Sequence, residues 1–537
     1  MVPRRFLSGW LLWPLLVLSL LLLNASLTFE NVWPTPKIRA PRELTLSVEL
    51  AVCVLLLAVA HRWAGRLVQR ALPALWVLLV AGHYLNVTAP GIFGREFNLY
   101  WDSQHLGNVA AMLAWSTPWW LIAAVAGAAV LLIGSLYLLA RASLTHVAAA
   151  AERRGGRAAL AACATLAIAI FWLQQLSAAV PLNVAFADPV TPAYVRQARY
   201  ALALAGPAVV TPLGASPAFD ADLGTLAGAD VLLIFVESYG AVTFETPEIA
   251  GPLAASRADL DAAIHETGRH VMSAYVDSPT FGASSWLAHL SLISGVDVRD
   301  QYAYTSLMAS RRETILSNFT RAGYRTVALM PGMRQAWPEG AFYGFDTIYG
   351  RAQLDYQGPE FGWWSIPDQY ALAKLDALER SRAGRAPLFV VFPTSTTHAP
   401  FGPVAPYQPD WPRVLTTTAY EPAEVERSMA FAPDLTNLRP SYTHAMAYEY
   451  RSFAGYLRAQ QDDPVVILIG DHQPPAAVSG PGASWSVPVH VIAKRTGVLD
   501  RLAAHGFQPG LTPQRPAIGP MHALVPVFLD AFSNSED

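Results

Sequence analysis

Apolar residues divide the chain into two halves with different patterns. Five long apolar stretches occupy residues 6–27, 44–61, 71–87, 112–140 and 158–176. Most of them approach the ~20 residues with which a helix crosses the hydrocarbon core of a bilayer. A spanning segment must also satisfy its own backbone hydrogen bonds, as a helix does. The pattern predicts a five-helix membrane anchor over residues 1–180. A cleaved signal peptide is the alternative for the first stretch, which lacks a clear small-x-small cleavage site.

Basic residues indicate how this anchor is oriented. Arginines precede the first stretch and separate the second from the third and the fourth from the fifth, at Arg4, Arg5, Arg62, Arg66, Arg70, Arg141, Arg153, Arg154 and Arg157. Positively charged loops stay on the cytoplasmic side of a membrane, and all these positions fall on one side of a five-helix anchor. We therefore expect the rest of the chain to lie outside the cytoplasm, in the periplasm if the membrane is a bacterial inner membrane.

The second half alternates short apolar runs with helical patterns. A proline-containing connector at the membrane surface is predicted over residues 181–225, and a catalytic domain over residues 226–537. Within this domain the pattern predicts strands at 231–236, 325–330, 387–392, 465–469 and 487–492, and helices at 253–266, 285–292, 312–322, 368–380 and 442–460. Continuous apolar strands alternating with helices predict an α/β fold, with a mostly parallel sheet flanked by helices.

Composition supports the membrane half and narrows the function. Hydrophobic residues make up 53% of the chain and charged residues 14%, against roughly 25% charged in soluble domains. The net charge of −3 and the absence of a basic cluster predict no nucleic-acid partner. The two cysteines, Cys53 and Cys163, lie in the apolar stretches. No disulfide framework or cysteine zinc site is therefore predicted in the second half.

Side chains suited to metal binding follow the predicted strands. Glu237 comes directly after the first strand, and Asp471 and His472 follow the strand at 465–469, one glycine later. His398 follows the strand at 387–392. Because active sites of such sheets lie at the carboxyl ends of strands, we expect these residues to share one rim. Two carboxylates and an imidazole suit manganese, magnesium or zinc and leave a position open for a nucleophile.

Two serines open the predicted helix at 285–292. Taken alone, Ser284 and Ser285 are explained as N-caps, and a lone glutamate such as Glu237 is commonly a turn residue. Taken together with the acidic residues and His472, they favour a site in which a metal-activated serine acts as nucleophile. The helix N-terminus would favour the anionic ester oxygens of a substrate.

Four motifs make the second half resemble the sulfatase-like branch of the alkaline phosphatase superfamily. Within it, the chain is most similar to the membrane lipoteichoic acid synthase and phosphoglycerol transferase group. The motifs are the strand before Glu237, the helix from Ser285 to Gly295, the Thr-His398-Ala-Pro-Phe segment, and Gly470-Asp471-His472 followed by Val-Pro-Val-His490. The resemblance covers roughly residues 230–530. It implies that Glu237, Ser285, Asp471 and His472 bind one divalent cation.

Two departures from the family pattern bear on the nucleophile. The run Ser285-Trp-Leu-Ala-His289 lacks the Cys/Ser-x-Pro-x-Arg sequence from which sulfatases make formylglycine. Transferases of the group that this chain resembles normally have threonine as the nucleophile, whereas this chain has serine. The register therefore stays open, with Ser285 first, Ser284 as its competitor and Thr280 third.

The resemblance implies a two-step transfer. Ser285 attacks the phosphorus of a phospholipid head group and releases diacylglycerol, and a hydroxyl of a glycan or glycolipid then accepts the group. His398 binds the phosphate or protonates the leaving group, and His289, Arg334 and Trp337 are expected to bind substrate. Phosphoglycerol is favoured over phosphoethanolamine, because the enzymes that transfer the latter usually carry disulfides. A membrane-anchored sulfatase-like ester hydrolase and a non-enzymatic sensor are the alternatives. We expect a monomer.

Overall fold

The computed structural model describes most of the chain. It covers residues 9–32, 37–60, 66–93, 96–104, 106–107, 110–111, 114, 117–176, 185–205, 213–334, 337–362, 364, 366–431, 433–434, 437–480 and 482–534. The chain forms two compact units, one of residues 1–91 and 96–208 and the other of residues 92–95 and 209–537. The predicted limits of the anchor, connector and catalytic domain stay predictions.

The first unit is built from apolar helices. Its helices are α1 (Gly9–Ala25), α2 (Val48–Val59), α3 (Arg66–Phe93), α4 (Leu99–Gln104), α5 (Trp119–Glu152), α6 (Arg154–Leu176) and α7 (Thr191–Ala205). Three segments in the described part are long and apolar enough to cross a membrane, namely Arg70–Pro90, Trp119–Glu152 and Arg154–Leu176. Along α5, large side chains such as Leu131 are exposed (73%), which suits contact with lipid rather than water.

The helices of this unit differ in length from the apolar stretches. Helix α2 has 12 residues, because the residues before it form strand rather than helix. Strand β3 (Thr45–Leu46) pairs with β4 (Ala185–Phe186), and the Ser47 hydroxyl then accepts the Leu50 N–H at 3.3 Å as a helix cap. The only other strands described in this unit are β1 (Glu30–Asn31) and β2 (Ile38–Arg39). Arg4, Arg5 and Arg62 lie outside the described residues.

The second unit contains an eight-stranded sheet. Its strands are β5 (Val231–Val236), β6 (His270–Asp277), β7 (Arg325–Leu329), β8 (Thr347–Tyr349), β9 (Leu388–Pro393), β10 (Val465–Gly470), β11 (Ser486–Ala493) and β12 (Gln508–Pro509), in the order β12-β6-β11-β10-β5-β9-β7-β8. The run from β10 to β8 is parallel. The pairings of β10 with β11, β11 with β6 and β6 with β12 are antiparallel. All five predicted strands occur, and the α/β fold is confirmed.

Helices cover both faces of this sheet. They are α8 (Val242–Glu245), α9 (Pro247–Glu266), α10 (Ser285–Ser294), α11 (Gln301–Met308), α12 (Ile315–Arg321), α13 (Gly340–Tyr343), α14 (Arg351–Leu354), α15 (Asp368–Leu375), α16 (Trp411–Val414), α17 (Pro422–Ala430), α18 (Arg439–Ala459), α19 (Ala476–Ser479), α20 (Thr496–Ala504) and α21 (Leu524–Phe532). Because side chains of a strand alternate between faces, β5 supplies Leu232, Ile234 and Val236 to one core and Val231, Leu233 and Phe235 to the other.

The sheet brings four chain segments to one edge. Strands β5, β9 and β10 run parallel, so their carboxyl ends share that edge. Strand β6 lies two antiparallel steps from β10 and therefore runs in the same direction as β10. The segment after β6, which leads to α10, starts from this edge as well.

Candidate active site

Glu237 and Asp471 are neighbours because their strands are neighbours in register. Val236 pairs with Gly470 across β5 and β10, so the next residues of both strands leave the sheet together. The close approach requires glycine at 470, because a Cβ there would lie 1.8 Å from the carbonyl oxygen of Tyr239. Both carboxylates are buried at this edge.

The turn after β5 fixes Glu237 through its backbone. The Glu237 N–H donates to the Thr394 hydroxyl at 3.1 Å, and the Thr397 hydroxyl donates to the Glu237 carbonyl at 2.6 Å. The next residue, Ser238, has a φ of 56°, which is uncommon outside glycine. Its N–H donates to Asp471 Oδ1 at 2.8 Å and its hydroxyl to Glu237 Oε1 at 3.0 Å. The turn is therefore tied to the ends of both neighbouring strands.

The Ser285 hydroxyl lies at the first residue of α10 and faces the acidic cluster. Its Oγ donates to Glu237 Oε2 at 2.9 Å and lies 3.1 Å from His472 Nε2. The Nδ1 atom of His472 lies 2.7 Å from the Gln473 carbonyl oxygen. This contact assigns the proton to Nδ1 and leaves a lone pair on Nε2. Serine, carboxylate and imidazole are thus within hydrogen-bonding distance of one another.

One oxygen of Asp471 has no hydrogen-bond donor. Oδ1 accepts the N–H groups of Ser238 and His472, at 2.8 and 2.6 Å. Oδ2 is buried, and no partner for it occurs among the described residues. It lies 3.5 Å from His472 Nε2 and 4.0 Å from His289 Nε2. A buried, unsatisfied carboxylate oxygen is costly and indicates that something absent from a protein-only structure completes the site.

The pKa values of the two carboxyl groups are shifted in opposite directions. Burial, and then the charge of Glu237, raise the pKa of Asp471 well above its ordinary value. Burial alone would also raise the pKa of Glu237, but the imidazoles of His472 and His398 hold it below its ordinary value. Burial lowers the pKa of His472, so its imidazole is neutral. Without a cation, these shifts favour negative charge on Glu237 and a proton on Asp471.

A divalent cation fits this donor set. Glu237, Asp471 and His472 each offer a ligand atom, and these atoms lie within 4.8 Å of one another. Two oxygens and one imidazole nitrogen suit manganese, magnesium or zinc, and the positive charge of a cation would stabilise both carboxylates in their ionised form. The unpartnered Oδ2 of Asp471 is the observation that favours a cation over a purely hydrogen-bonded cluster.

Two further histidines lie beside the cluster. His289, one turn after Ser285 on α10, packs its ring on Phe235 with centroids 4.3 Å apart, and burial lowers its pKa to about 4. Its Nε2 is buried without a partner among the described residues. Partly exposed His398 places Nδ1 2.8 Å from the Ala399 carbonyl oxygen, and its ring lies 4.5 Å from that of Trp364. The substrate-binding role expected of both histidines stays a prediction.

The competing nucleophiles are placed differently from Ser285. Ser284 has a φ of 69° and is the N-cap residue of α10. The Thr280 hydroxyl donates to the Ala283 carbonyl at 2.5 Å, so it stabilises the loop before the helix. The Ser285 hydroxyl contacts Glu237 and His472, and the choice of nucleophile among these three residues stays a prediction.

The two remaining predicted residues lie in the loop after β7. Arg334 is exposed. Burial, and then the charge of Arg351, lower the pKa of Arg334. The indole ring of Trp337 packs on Tyr343 with centroids 5.1 Å apart, against one of the cores. The role of Arg334 and Trp337 in head-group binding stays a prediction.

Sequence reasoning missed the hydroxyl groups that support the cluster. The Ser278 hydroxyl donates to the Asp471 carbonyl at 2.5 Å, and Thr394 and Thr397 hold the backbone of Glu237. Their positions directly after β6 and β9 were the available signal, because residues at those strand ends share the rim. Their target atoms belong to the backbone, so no residue pattern revealed the pairing.

Comparisons with known proteins agree with this fold. A sequence model of the sulfatase family matches residues 291–491. The match includes His398, Asp471 and His472 and begins after Ser285. No curated protein sequence matches the chain significantly.

Three solved structures are similar to this chain at low identity. A Vibrio parahaemolyticus protein in the alkaline phosphatase superfamily has 18% identity and a TM-score of 0.33, over 53% of this chain and 64% of that one. The chain thus spans less than two thirds of that protein's length. A Streptococcus pyogenes phosphoglycerol transferase has 12% identity and a TM-score of 0.35, over 58% of this chain and 82% of that one. The Neisseria meningitidis integral membrane lipooligosaccharide phosphoethanolamine transferase has 16% identity and a TM-score of 0.47, over 98% and 96%.

The site geometry and the family match agree on the second unit of the chain. The sulfatase family model matches residues 291–491 of this unit, which carry His398, Asp471 and His472 of the site.

Proposed function

We propose that the chain is a metal-dependent membrane transferase that moves a phospho head group through a covalent phosphoserine at Ser285. The observation that carries this proposal is the contact of the Ser285 hydroxyl with both Glu237 and His472, at 2.9 and 3.1 Å. A serine hydroxyl is a weak nucleophile until a base or a cation removes its proton. Here a carboxylate and the lone pair of an imidazole both contact it.

The residues of the chain account for the proton transfers of two displacement steps. In the first, Ser285 Oγ bonds to phosphorus and gives its proton to Glu237. The bond from phosphorus to the lipid oxygen breaks, and that oxygen takes a proton from His398. In the second, the acceptor hydroxyl gives its proton to His398 and attacks phosphorus, and Ser285 leaves with the proton from Glu237. The chemistry that a cation held by Glu237, Asp471 and His472 supplies when bound is Lewis acidity at the ester and the serine.

The apolar helices suggest the donor. A phospholipid cannot leave the bilayer, so an enzyme that uses it gains from membrane-spanning segments such as Trp119–Glu152 and Arg154–Leu176. We propose phosphatidylglycerol as donor and a glycan or glycolipid as acceptor, with the domain on the periplasmic side of a bacterial inner membrane and the chain as a monomer. Phosphoethanolamine transfer is the alternative, in which the same site would transfer a different phospholipid head group.

The test uses the full chain purified in detergent. With phosphatidylglycerol and Mn²⁺ it should release diacylglycerol, and the Ser285→Ala variant should release no more than lipid alone. The matched control is Ser284→Gly, because glycine accepts the positive φ of that position without strain and should keep activity. Mass spectrometry of the peptide that contains both serines should find the transferred group on Ser285. Full activity in Ser285→Ala, with loss in Ser284→Gly, would refute the assignment of the nucleophile.

A second function is ester hydrolysis, which the match to the sulfatase family favours. A hydrolase would turn over a chromogenic phosphate or sulfate ester without an acceptor, and glycan hydroxyls would not raise its rate. A transferase should show the opposite behaviour, because water would compete poorly for the phosphoserine. The rate with and without a glycan acceptor therefore separates the two functions.

A further inference from the structure

The first unit contains a large apolar cavity that the proposed chemistry does not use. Its volume is about 1120 Å³, above the ~300–1,000 Å³ of most small-molecule pockets. Helices α2, α3, α6 and α7 line it, and several of its apolar residues are partly exposed, including Val52, Leu56 and Trp172. A cavity with such exposed lining residues is accessible from the surface of the unit.

Helix α7 closes one side of this cavity and is firmly attached to the bundle. The Tyr194 hydroxyl donates to the Leu78 carbonyl of α3 at 2.5 Å, and a Cβ on Gly82 would meet the same tyrosine ring at 2.6 Å. The Gln197 side chain donates to the Phe97 carbonyl at 2.8 Å and accepts the Leu99 N–H at 2.9 Å. The cavity therefore has a defined wall.

The cavity-lining face of α7 combines apolar and cationic side chains. Val195, Arg196 and Arg199 all line the cavity, and Arg199 neighbours the other two because it follows them by four and three residues on the helix. Arg196 donates to both oxygens of Glu96, at 3.2 and 3.0 Å. Arg199 has no carboxylate within ion-pair distance among the described residues and is exposed. One guanidinium is thus free to bind an anion next to apolar walls.

The acidic residue of the cavity lies away from this guanidinium. Glu49 accepts the Val190 N–H at 2.6 Å and the Ser47 hydroxyl at 3.0 Å, so it caps the start of α7. Arg199 follows two turns later, about 12 Å along the helix axis. The negative charge at the start of the helix does not neutralise the positive charge near its end.

We propose that this cavity binds one anionic glycerophospholipid, with acyl chains between α2, α3 and α6 and the phosphate on Arg199. An apolar volume of this size beside a free guanidinium matches an anionic amphiphile, since arginine binds phosphate through a planar fork of donors. The proposal goes beyond the transfer chemistry and does not depend on it. A chain without activity at Ser285 would bind the lipid equally well.

The test uses photoactivatable lipids and the full chain in nanodiscs. Phosphatidylglycerol and phosphatidylcholine, each with a diazirine in one acyl chain, are compared at equal fractions, and labelled peptides are identified by mass spectrometry. Phosphatidylglycerol should label α2, α3 and α6 peptides that line the cavity more than phosphatidylcholine does. Arg199→Ala should lower this labelling by about tenfold, the loss expected from one charge-assisted hydrogen bond, and Arg199→Lys should restore part of it. Arg153→Ala, an exposed arginine outside the cavity, is the matched control.

A second pair of variants tests the volume instead of the charge. Val52→Trp should fill part of the cavity and reduce labelling, whereas Leu131→Trp, on an exposed part of α5 that does not line it, should leave labelling unchanged. Ser285→Ala should label like the parent chain, which separates this proposal from the proposed function. Equal labelling by both lipids, or equal labelling of α5 and the cavity peptides, would overturn the proposal and indicate surrounding bilayer lipid only.

Discussion

Replacing Asp471 with asparagine should change stability in opposite directions with and without a divalent cation. The asparagine oxygen can keep the two N–H donors that Asp471 Oδ1 now accepts, at 2.8 and 2.6 Å. Its amide NH₂ would take the place of Oδ2, which is buried without a partner among the described residues and lies 3.5 Å from His472 Nε2. Because that nitrogen carries a lone pair, the amide can donate to it. The change therefore satisfies a buried polar atom in the cation-free protein.

The size of the effect follows from the two states. At pH 7 the raised pKa of Asp471 costs the cation-free parent chain about 1.4 kcal/mol for each pH unit by which it exceeds the ordinary value. Asparagine carries no charge and avoids this cost, so the cation-free variant should be at least about 1 kcal/mol more stable than the parent chain at pH 7. The raised pKa of Asp471 determines how this difference in stability depends on pH. The destabilisation of the parent chain is absent below the ordinary aspartate pKa and grows as pH rises toward the pKa in the folded state. A cation at 100 times its dissociation constant adds ~2.7 kcal/mol to the parent chain, but little to a variant that has lost one carboxylate.

Thermal unfolding of the second unit, followed by tryptophan fluorescence of the full chain in detergent, measures both states. At ~2–4 °C per kcal/mol for a domain of moderate size, Asp471→Asn should melt higher than the parent in EDTA and lower in saturating Mn²⁺. A variant that melts above the parent in EDTA but below it in Mn²⁺ would indicate that Asp471 binds the cation. A variant that melts lower by the same amount in both conditions would refute the reasoning, because Asp471 would then be purely structural.

Two further predictions concern buried charges away from the cation site. Buried Asp230 accepts hydrogen bonds from Arg385 at 2.6 Å and from Arg380 at 3.0 Å. Asp230→Ala should therefore lower the free energy of urea unfolding by ~3–5 kcal/mol, whereas the control Glu421→Ala, at an exposed position, should lower it by under ~1 kcal/mol. Equal losses in the two variants would contradict the burial argument. Burial, and then the charge of Asp368, raise the pKa of Glu449 well above its ordinary value. We expect the unfolding free energy of Glu449→Gln to stay within ~1 kcal/mol of the parent at pH 5 and to fall less than that of the parent between pH 5 and 8. A steeper fall in the variant would exclude a protonated Glu449.

The parallel part of the sheet could be predicted because its strands have a recognisable sequence pattern. The runs at 231–236 and 465–469 are continuously apolar, as strands buried on both faces must be. Strand β6 was missed because Ser273 and Tyr275 interrupt its apolar run and it follows α9 after only a short turn. Without β6, the sequence pattern supplied no strand that leads the segment before Ser285 to the edge of Glu237 and Asp471, so only the motifs placed Ser285 in the site.

The candidate site was predictable in its members but not in its support. Glu237, Asp471 and His472 stand next to strand ends, and Ser285 begins a helix, so local patterns were enough. Thr394 acts through the backbone of a residue 157 positions earlier, and such a contact depends on strand order alone.

The strand order places the segment that carries Ser285 on one side of the site and the loops that carry His398 and Arg334 on the other. The serine arrives from the antiparallel side of Asp471, through β11 and β6, whereas His398 and Arg334 follow strands on the parallel side of Glu237. Insertions or exchanges in the loops after β7 and β9 can therefore change the surroundings of His398 and Arg334 without altering the segment that carries Ser285. Related chains could differ in the molecules they bind and still keep Ser285 beside Glu237 and His472.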